Sequence, residues 1–227
     1  VNGCTDDASI AISVNTASAD VGANISICEG EDTVITVIGT GTYTWSNGAA
    51  TASINVKPSI TTTYSVTVDN AGCTASDQVI VTVNTIAASA GSDVAICKGA
   101  STILTATGGS TYKWSTGDLT SSISVSPNTN SIYRVTVTTN KGCSAVDFVN
   151  VDVNSIIADA GSDVQICNGG TANLVASGGS TYSWNTCSTN ATISVNPIIN
   201  TTYSVTVNDN GCSASDTMRL TILTPPT

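Results

Sequence analysis

The sequence contains no histidine. That removes the commonest general base, the Ser-His-Asp and Cys-His arrangements, and the commonest metal ligand. Basic residues are nearly as scarce: 6 Lys and Arg stand against 16 Asp and Glu in 227 residues, a formal charge of −10. A phosphate backbone is gripped by Lys and Arg that displace its counterions, so nucleic acid is excluded as a partner. Charged residues of either sign make up 10% of the chain, where an ordinary soluble domain carries about 25%. The polar surface must therefore come from Thr, Ser, Asn and Gly. No apolar run approaches the ~18 residues that suggest a membrane span, and no membrane insertion is expected. No basic stretch followed by an apolar one opens the chain. Two expectations follow: a signal removed ahead of residue 1, or a residue 1 that lies inside a longer protein. Apolar residues at i, i+3, i+4, i+7 over three turns are also missing, and with them any helix signal.

What is present is repetition, which decides the architecture. Trp45, Trp114 and Trp184 are spaced by 114 − 45 = 69 and 184 − 114 = 70 residues. Tyr64, Tyr133 and Tyr203 keep the same period, as do Cys28, Cys97 and Cys167, and Cys73, Cys143 and Cys212. Only Phe148, of all the aromatics, falls outside three copies of Tyr-x-Trp followed by a lone Tyr. The first fifteen residues join the series: Asn2-Gly3-Cys4 matches Ala71-Gly72-Cys73, Lys141-Gly142-Cys143 and Asn210-Gly211-Cys212. The expected layout is residues 1–15 as the last strands of a preceding repeat or a strand for a neighbour, then repeats at 16–84, 85–154 and 155–227.

Within a copy the apolar period is two. Tyr64, Val66 and Val68 alternate with Ser65, Thr67 and Asp69; after the Gly-Cys turn, Val79, Val81 and Val83 do the same. These two runs read as a hairpin. Ile35/Val37, Tyr43/Trp45 and Ile54/Val56 are shorter alternating runs, separated by Gly-, Asn- and Pro-bearing turns. Six or seven short strands in about 70 residues, each apolar on one face, suit a two-sheet sandwich. The fold class is all-β: a tandem array of three antiparallel sandwiches. The Tyr-x-Trp phase points both side chains inward, so the three Trp are expected at the core centres.

The ICxG segment, the YxW strand, the T-T-Y-x-V-T-V strand and the NGC turn together resemble the PKD-like and Ig-like repeats of Bacteroidota surface proteins. Among these are proteins exported by the type IX secretion system and the SprB-like gliding adhesins. The resemblance covers the whole chain and implies a bacterial cell-surface location. The first copy departs at Asn24, where the others carry Asp93 and Asp163, and the third at Cys187, where the others carry Gly48 and Gly117.

Each copy holds one Cys in ICxG and one in the Gly-Cys turn, 45 or 46 residues apart. The constant spacing predicts three disulfides closed within repeats, Cys28–Cys73, Cys97–Cys143 and Cys167–Cys212. Closing a loop of that length removes about 4 kcal/mol of unfolded-chain entropy on the chain-entropy model, a useful staple for so small a core. Metal binding would want C-x₂-C pairs or histidine, and neither exists. Disulfides imply an oxidising, extracytoplasmic home. Cys4 and Cys187 are left over, to be free thiols, inter-chain bonds, or a Cys4–Cys187 bridge between subunits; the mate of Cys4 is expected upstream.

No cofactor is expected. Calcium is the one ion the acids suggest, at Asp159, Asp163 and Asp93, but it needs six to eight oxygens, and these acids read rather as caps of turns and strand ends. Asp-Thr before an apolar residue, at Asp216-Thr217-Met218 and Asp32-Thr33-Val34, resembles the O-glycosylation signal of Bacteroidota secreted proteins. Thr217 is expected outward, whereas Thr33 shares the phase of Ile35. No catalytic set survives, and the acids recur with the repeat, which suits structure rather than chemistry. The expected function is a non-enzymatic extracellular stalk, spacer or filament of a surface adhesin. Its partners would be adjacent repeats or neighbouring subunits. The alternatives are a module that binds surface polysaccharide or a host surface, and a filament subunit that exchanges residues 1–15 as a strand.

Overall fold

The computed structural model describes residues 9–10 and 14–224. The hairpin expected of residues 1–15, and Cys4 with it, falls largely or wholly outside them. Every regular element among the described residues is a strand.

The first repeat contributes β1 (Ile25–Cys28), β2 (Thr33–Thr36), β3 (Thr42–Trp45), β4 (Ser53–Val56), β5 (Thr62–Asn70) and β6 (Cys73–Asn84). One sheet has the order β1-β6-β5-β3; the other pairs β2 with β4. The second repeat gives β7 (Val94–Cys97), β8 (Thr102–Thr105), β9 (Thr111–Trp114), β10 (Ser122–Val125), β11 (Ser131–Thr138) and β12 (Ser144–Asn154). The third gives β13 (Val164–Cys167), β14 (Ala172–Val175), β15 (Thr181–Trp184), β16 (Thr192–Val195), β17 (Thr201–Asp209) and β18 (Cys212–Leu223). Both repeat the same four-plus-two arrangement, with orders β7-β12-β11-β9 and β13-β18-β17-β15.

The long hairpin forms as the alternation requires, with Tyr64 opposite Val79, Val66 opposite Asp77 and Asn70 opposite Cys73. Its two turn residues, Ala71 and Gly72, have φ of 51° and 85°. A two-residue hairpin turn with both φ positive follows the right-handed twist of its strands. Repeat 2 carries one residue more in this turn, which accounts for its 46-residue cysteine spacing. There Gly142 N–H bonds Thr139 O, and Thr139 N–H bonds Cys143 O.

One pair departs from the antiparallel pattern. β1 runs parallel to β6, with Ile25 opposite Val81 and Cys28 opposite Asn84; β7 with β12 and β13 with β18 do likewise. Strict reversal at every turn would have set β1 and β6 antiparallel.

The chain packs as two compact units. One takes in the chain up to Ala87 with Gly108–Ser110 and Thr138–Ala145; the other takes in Ala88–Thr107, Thr111–Val137 and the chain from Val146. In the first unit both sheets face one core, where Ile35, Ile54 and Val56 meet Trp45, Val66, Val68, Val79 and Val81. In the second, Leu174 and Ile193 meet Trp184, Tyr203, Val205, Val207, Met218 and Leu220. Trp45, Trp114 and Trp184 are each 2% exposed. Each indole N–H donates to a backbone carbonyl six residues on, in Thr51, Thr120 and Asn190. A buried indole N–H needs such a partner, and here it also ties down the turn that follows the Trp strand.

Candidate functional site

Each sandwich has a leading pole, where the hairpin turn carries the second cysteine, and a trailing pole, where the last long strand ends. The register of the parallel pair places the ICxG cysteine at the trailing pole. Cys28 ends β1 opposite Asn84, the last residue of β6, and Glu29 N–H donates to Asn84 O at 3.0 Å. The Asn84 side chain amide donates to Ser26 Oγ at 2.7 Å and Ile27 O at 2.9 Å, fastening the two strand ends. Cys97 sits in the same way against Asn154, where Lys98 N–H donates to Asn154 O at 2.9 Å.

Cys73, by contrast, is the first residue of β6. The 84 − 73 = 11 residues between it and the position opposite Cys28 span about 36 Å at ~3.3 Å each. Disulfide bonding needs Cα atoms within roughly 4.4–6.8 Å. The pairing expected within repeats is therefore corrected: Cys28 bonds Cys143 and Cys97 bonds Cys212. Both have a Cα–Cα distance of 5.5 Å and a sequence separation of 115. Each bond joins the trailing-pole cysteine of one repeat to the leading-pole cysteine of the next, and each lies inside one compact unit. The first unit contains Cys143 because its hairpin turn packs with the end of repeat 1. A recess there is lined by Val83, Asn84, Thr85, Thr139, Asn140 and Lys141. In the second unit Asn154, Ser155 and Ile156 line a similar recess with Asp209, Asn210 and Cys212. Cys143 and Cys212 are 2% and 3% exposed. Closing a 115-residue loop removes roughly 4–5 kcal/mol of chain entropy from the unfolded state on the chain-entropy account.

Cys73 and Cys167, expected in bonds, are free thiols, as is Cys187. Cys73 is half-buried, with its Sγ 3.3 Å from Asn15 O; Cys167 and Cys187 are exposed. Cys187 occupies the left-handed turn position held by Gly48 and Gly117, with φ of 66° against 87° and 96°. Its N–H closes the same bond to the Trp carbonyl, Cys187 to Trp184 O at 2.9 Å, as Gly48 makes to Trp45 O.

The recurrent acids hold backbone. A carboxylate oxygen of Asp77, Asp147 or Asp216 accepts the N–H of Val21, Ala90 or Ala160, at 2.9, 2.8 and 2.8 Å. Those three residues are buried ends of the segments that open each repeat. The N–H of Val21 and then of Gln78 lower the pKa of Asp77 below its ordinary value; those of Ala160 and then Thr217 lower that of Asp216. Asp93 accepts the side chain amide and the N–H of Asn150, both at 2.8 Å, which lower its pKa in that order. Asp163 accepts Arg219 N–H at 2.8 Å, and Asn24 accepts Ile80 N–H at 2.9 Å. The Asn24 departure is thus conservative, since an amide oxygen does the same work at the edge of the last long strand. Asp159 turns back on its own segment, accepting Gly161 N–H at 2.8 Å. The described residues contain no group of three or more metal-ligating side chains. Thr217 is exposed on β18, and Thr33 is half-buried on β2.

No family model matches the chain, and no curated protein matches it. Solved structures align over most of its length at low identity. A three-domain I-band fragment of titin aligns over 93% of this chain and 100% of its own, at 12% identity and a TM-score of 0.42. Extracellular domains 3–5 of Drosophila OTK align over 92% and 97%, at 11% identity and a TM-score of 0.36. An eight-domain N-terminal piece of Down Syndrome Cell Adhesion Molecule aligns over 91% and 40%, at 14% identity and a TM-score of 0.31. The titin and Down Syndrome Cell Adhesion Molecule structures are arrays of Ig domains. Likenesses this low leave function to the residues, and the three Ig-like sandwiches rest on the strand topology above.

Proposed function

We propose that this protein is a non-enzymatic, extracellular repeat array serving as the stalk or spacer of a surface adhesin. The observation that carries the proposal is the staggered bonding of Cys28 to Cys143 and of Cys97 to Cys212. A bond inside a module would stabilise that module alone, whereas a bond across the boundary makes neighbours resist extension together. Modules that contact mainly their neighbours give a length set by repeat number, and stable disulfides suit an oxidising compartment. The ICxG, YxW and NGC marks support a bacterial surface protein of the type IX-secreted kind, with gliding adhesion as its setting. Calcium at Asp93, Asp159 and Asp163 would need further oxygens to complete a shell, and glycosylation at Thr217 would meet an open strand face.

The binding-module alternative is less favoured, because Phe148 is the one aromatic among the large apolar side chains exposed in the described residues. The purified chain on immobilised polysaccharides and whole cells discriminates the two readings. A spacer shows no saturable binding at micromolar concentration and labels from outside on intact producing cells. Saturable binding to one polysaccharide, lost on Phe148→Ser, would transfer the protein to the binding class.

A further inference from the structure

The outer face of the four-stranded sheet differs between the repeats. Arg134 and Phe148 of repeat 2 take the places of the opposed pairs Ser65–Gln78 and Ser204–Thr217. Lys113 and Val146 flank Thr136 as Thr44 and Ser76 flank Thr67. Ile132 and Asp152 lie further along β11 and β12, in the same outward phase. Each of these six side chains is exposed, and at all six places repeats 1 and 3 carry Thr, Ser or Gln. In those repeats one rung of the face is a hydroxyl pair, Thr67 with Ser76 at 3.0 Å and Thr206 with Ser215 at 2.9 Å; Val146 stands where that serine would be. Repeat 2 therefore presents Ile132, Val146 and Phe148, exposed by 68%, 45% and 55%, where its siblings present a hydroxyl surface.

The charges on this face are sorted. Lys113 and Arg134 lie toward the leading pole on β9 and β11. Asp152 lies toward the trailing pole on β12. Beside it Asp93 accepts the N–H and side chain amide of Asn150, both at 2.8 Å. Phe148 and Ile132 occupy the middle. The face is positive at one end, apolar at the centre and negative at the other.

We infer that this face of repeat 2 pairs two copies of the chain side by side, sheet against sheet, about a two-fold axis running past Phe148 and Ile132. That axis sets Lys113 and Arg134 of each copy against Asp152 and Asp93 of the other, and apolar side chains against each other at the centre. A second copy is the occupant because the face is its own complement. A partner of uniform charge would meet a like charge at one end, which disfavours it. The same patch serves both copies, so the contact closes at two. The 152 − 146 = 6 residues from Val146 to Asp152 run about 20 Å at ~3.4 Å each, and four strands at ~4.8 Å span about 19 Å. That is about 400 Å² per copy, and about 800 Å² in total belongs with weak, transient interfaces. The inference goes beyond the spacer reading, which needs no second copy and stands if the pairing fails.

The test is sedimentation equilibrium of the full 227-residue chain, with Cys4→Ser, Cys73→Ser, Cys167→Ser and Cys187→Ser so that no new disulfide joins copies. Salt at about 0.15 M screens charges beyond ~8 Å and leaves those in contact. A monomer–dimer equilibrium with a Kd on the order of 100 µM is expected for so small an interface, with nothing larger than dimer. Phe148→Gln, which installs the residue of repeat 1, abolishes it. Lys113→Glu and Asp152→Lys each weaken it by about ten-fold, because like charges then face each other twice. An equimolar mixture of those two variants restores dimer, since both facing pairs are again opposite in sign. A chain monomeric up to about 1 mM, ten times that Kd, a dimer indifferent to Phe148→Gln, or a mixture no better than its components would overturn the inference. So would saturable binding of polygalacturonate to a monomeric chain, lost on Phe148→Gln, which would assign the face to an anionic polysaccharide. Circular dichroism of each variant, matching the parent, separates loss of pairing from loss of fold.

Discussion

The staggered bonds make a mechanical statement that can be worked out from residue numbers. Cys28 and Cys143 form one covalent node, Cys97 and Cys212 another. Three stretches of polypeptide connect the nodes in parallel: residues 28–97, 97–143 and 143–212. When the modules are pulled open, the shortest stretch limits extension, and that is 143 − 97 = 46 residues, about 160 Å at ~3.5 Å per residue. Removing the first node with Cys28→Ser and Cys143→Ser leaves a path from 28 to 97 and across to 212. Its 97 − 28 = 69 residues extend to about 240 Å. Removing the second node with Cys97→Ser and Cys212→Ser gives 212 − 143 = 69 residues and the same reach. Full reduction frees 212 − 28 = 184 residues, about 640 Å. Optical-trap extension of the full chain between terminal handles reads these lengths directly, in a background with the remaining cysteines changed to Ser. In the native-cysteine chain, bonds closed within repeats would give nearly the same oxidised length as the staggered pair, so the double variants decide. There, with Cys73 and Cys167 restored, bonding within repeats would leave only Cys167–Cys212 after Cys28→Ser and Cys143→Ser. The path would then be 167 − 28 = 139 residues, about 490 Å. A plateau near that length, rather than near 240 Å, refutes the stagger.

Four further outcomes are expected. Trp114→Ala removes a side chain 2% exposed and should cost roughly 3–5 kcal/mol by denaturant titration, while Trp114→Phe, which loses mainly the 3.0 Å bond to Thr120 O, should cost less. Cys187→Gly relieves a non-glycine residue at φ 66° and should stabilise the protein by about 1 kcal/mol, the left-handed penalty less the added chain freedom; an unchanged or lower melting point would refute that. Asp77, Asp93 and Asp216 have folded pKa values below their ordinary 3.8. Their contribution is therefore present above that value and lost as pH falls through the folded ones, so melting points from pH 6 to 2 should drop mainly below about pH 4, and Asp216→Asn should flatten the drop. A single tryptic cut after exposed Lys98 should leave one covalent species until reduction separates the pieces, as mass spectrometry under both conditions will show.

Much of the fold was legible because the alternation in Tyr64–Val68 and Val79–Val83 allows one face to be buried, and a one-residue slip would expose it. The Trp positions followed from the same period. Two features were not legible. The parallel pairing of β1 with β6 depends on which sheet a four-residue strand joins, and Ile25-Ser26-Ile27-Cys28 alternates equally well in either direction. The side-chain oxygens of Asn24, Asp93 and Asp163 lie some 56 residues from the backbone N–H groups they accept. No local pattern reports such a distance, although the recurrence of Asp77, Asp147 and Asp216 did mark a structural role.

The disulfide correction follows from the direction of that one strand. Had β1 run antiparallel to β6, Cys28 would lie at the same pole as Cys73, and a 45-residue loop closed within the repeat would be the natural bond. With β1 parallel, the two cysteines of a repeat stand at opposite poles, about 36 Å apart by strand length. Neither can reach the other, yet each stands where the adjoining module's opposite pole arrives. A short parallel edge strand thus turns what would be a staple for one module into a link between two. The period of the sequence then fixes the loop: one repeat plus the span from ICxG to Gly-Cys gives the same separation of 115 in both bonds. The two loops overlap by the residues between Cys97 and Cys143, so neither module at a junction can be unravelled past that stretch while both bonds hold.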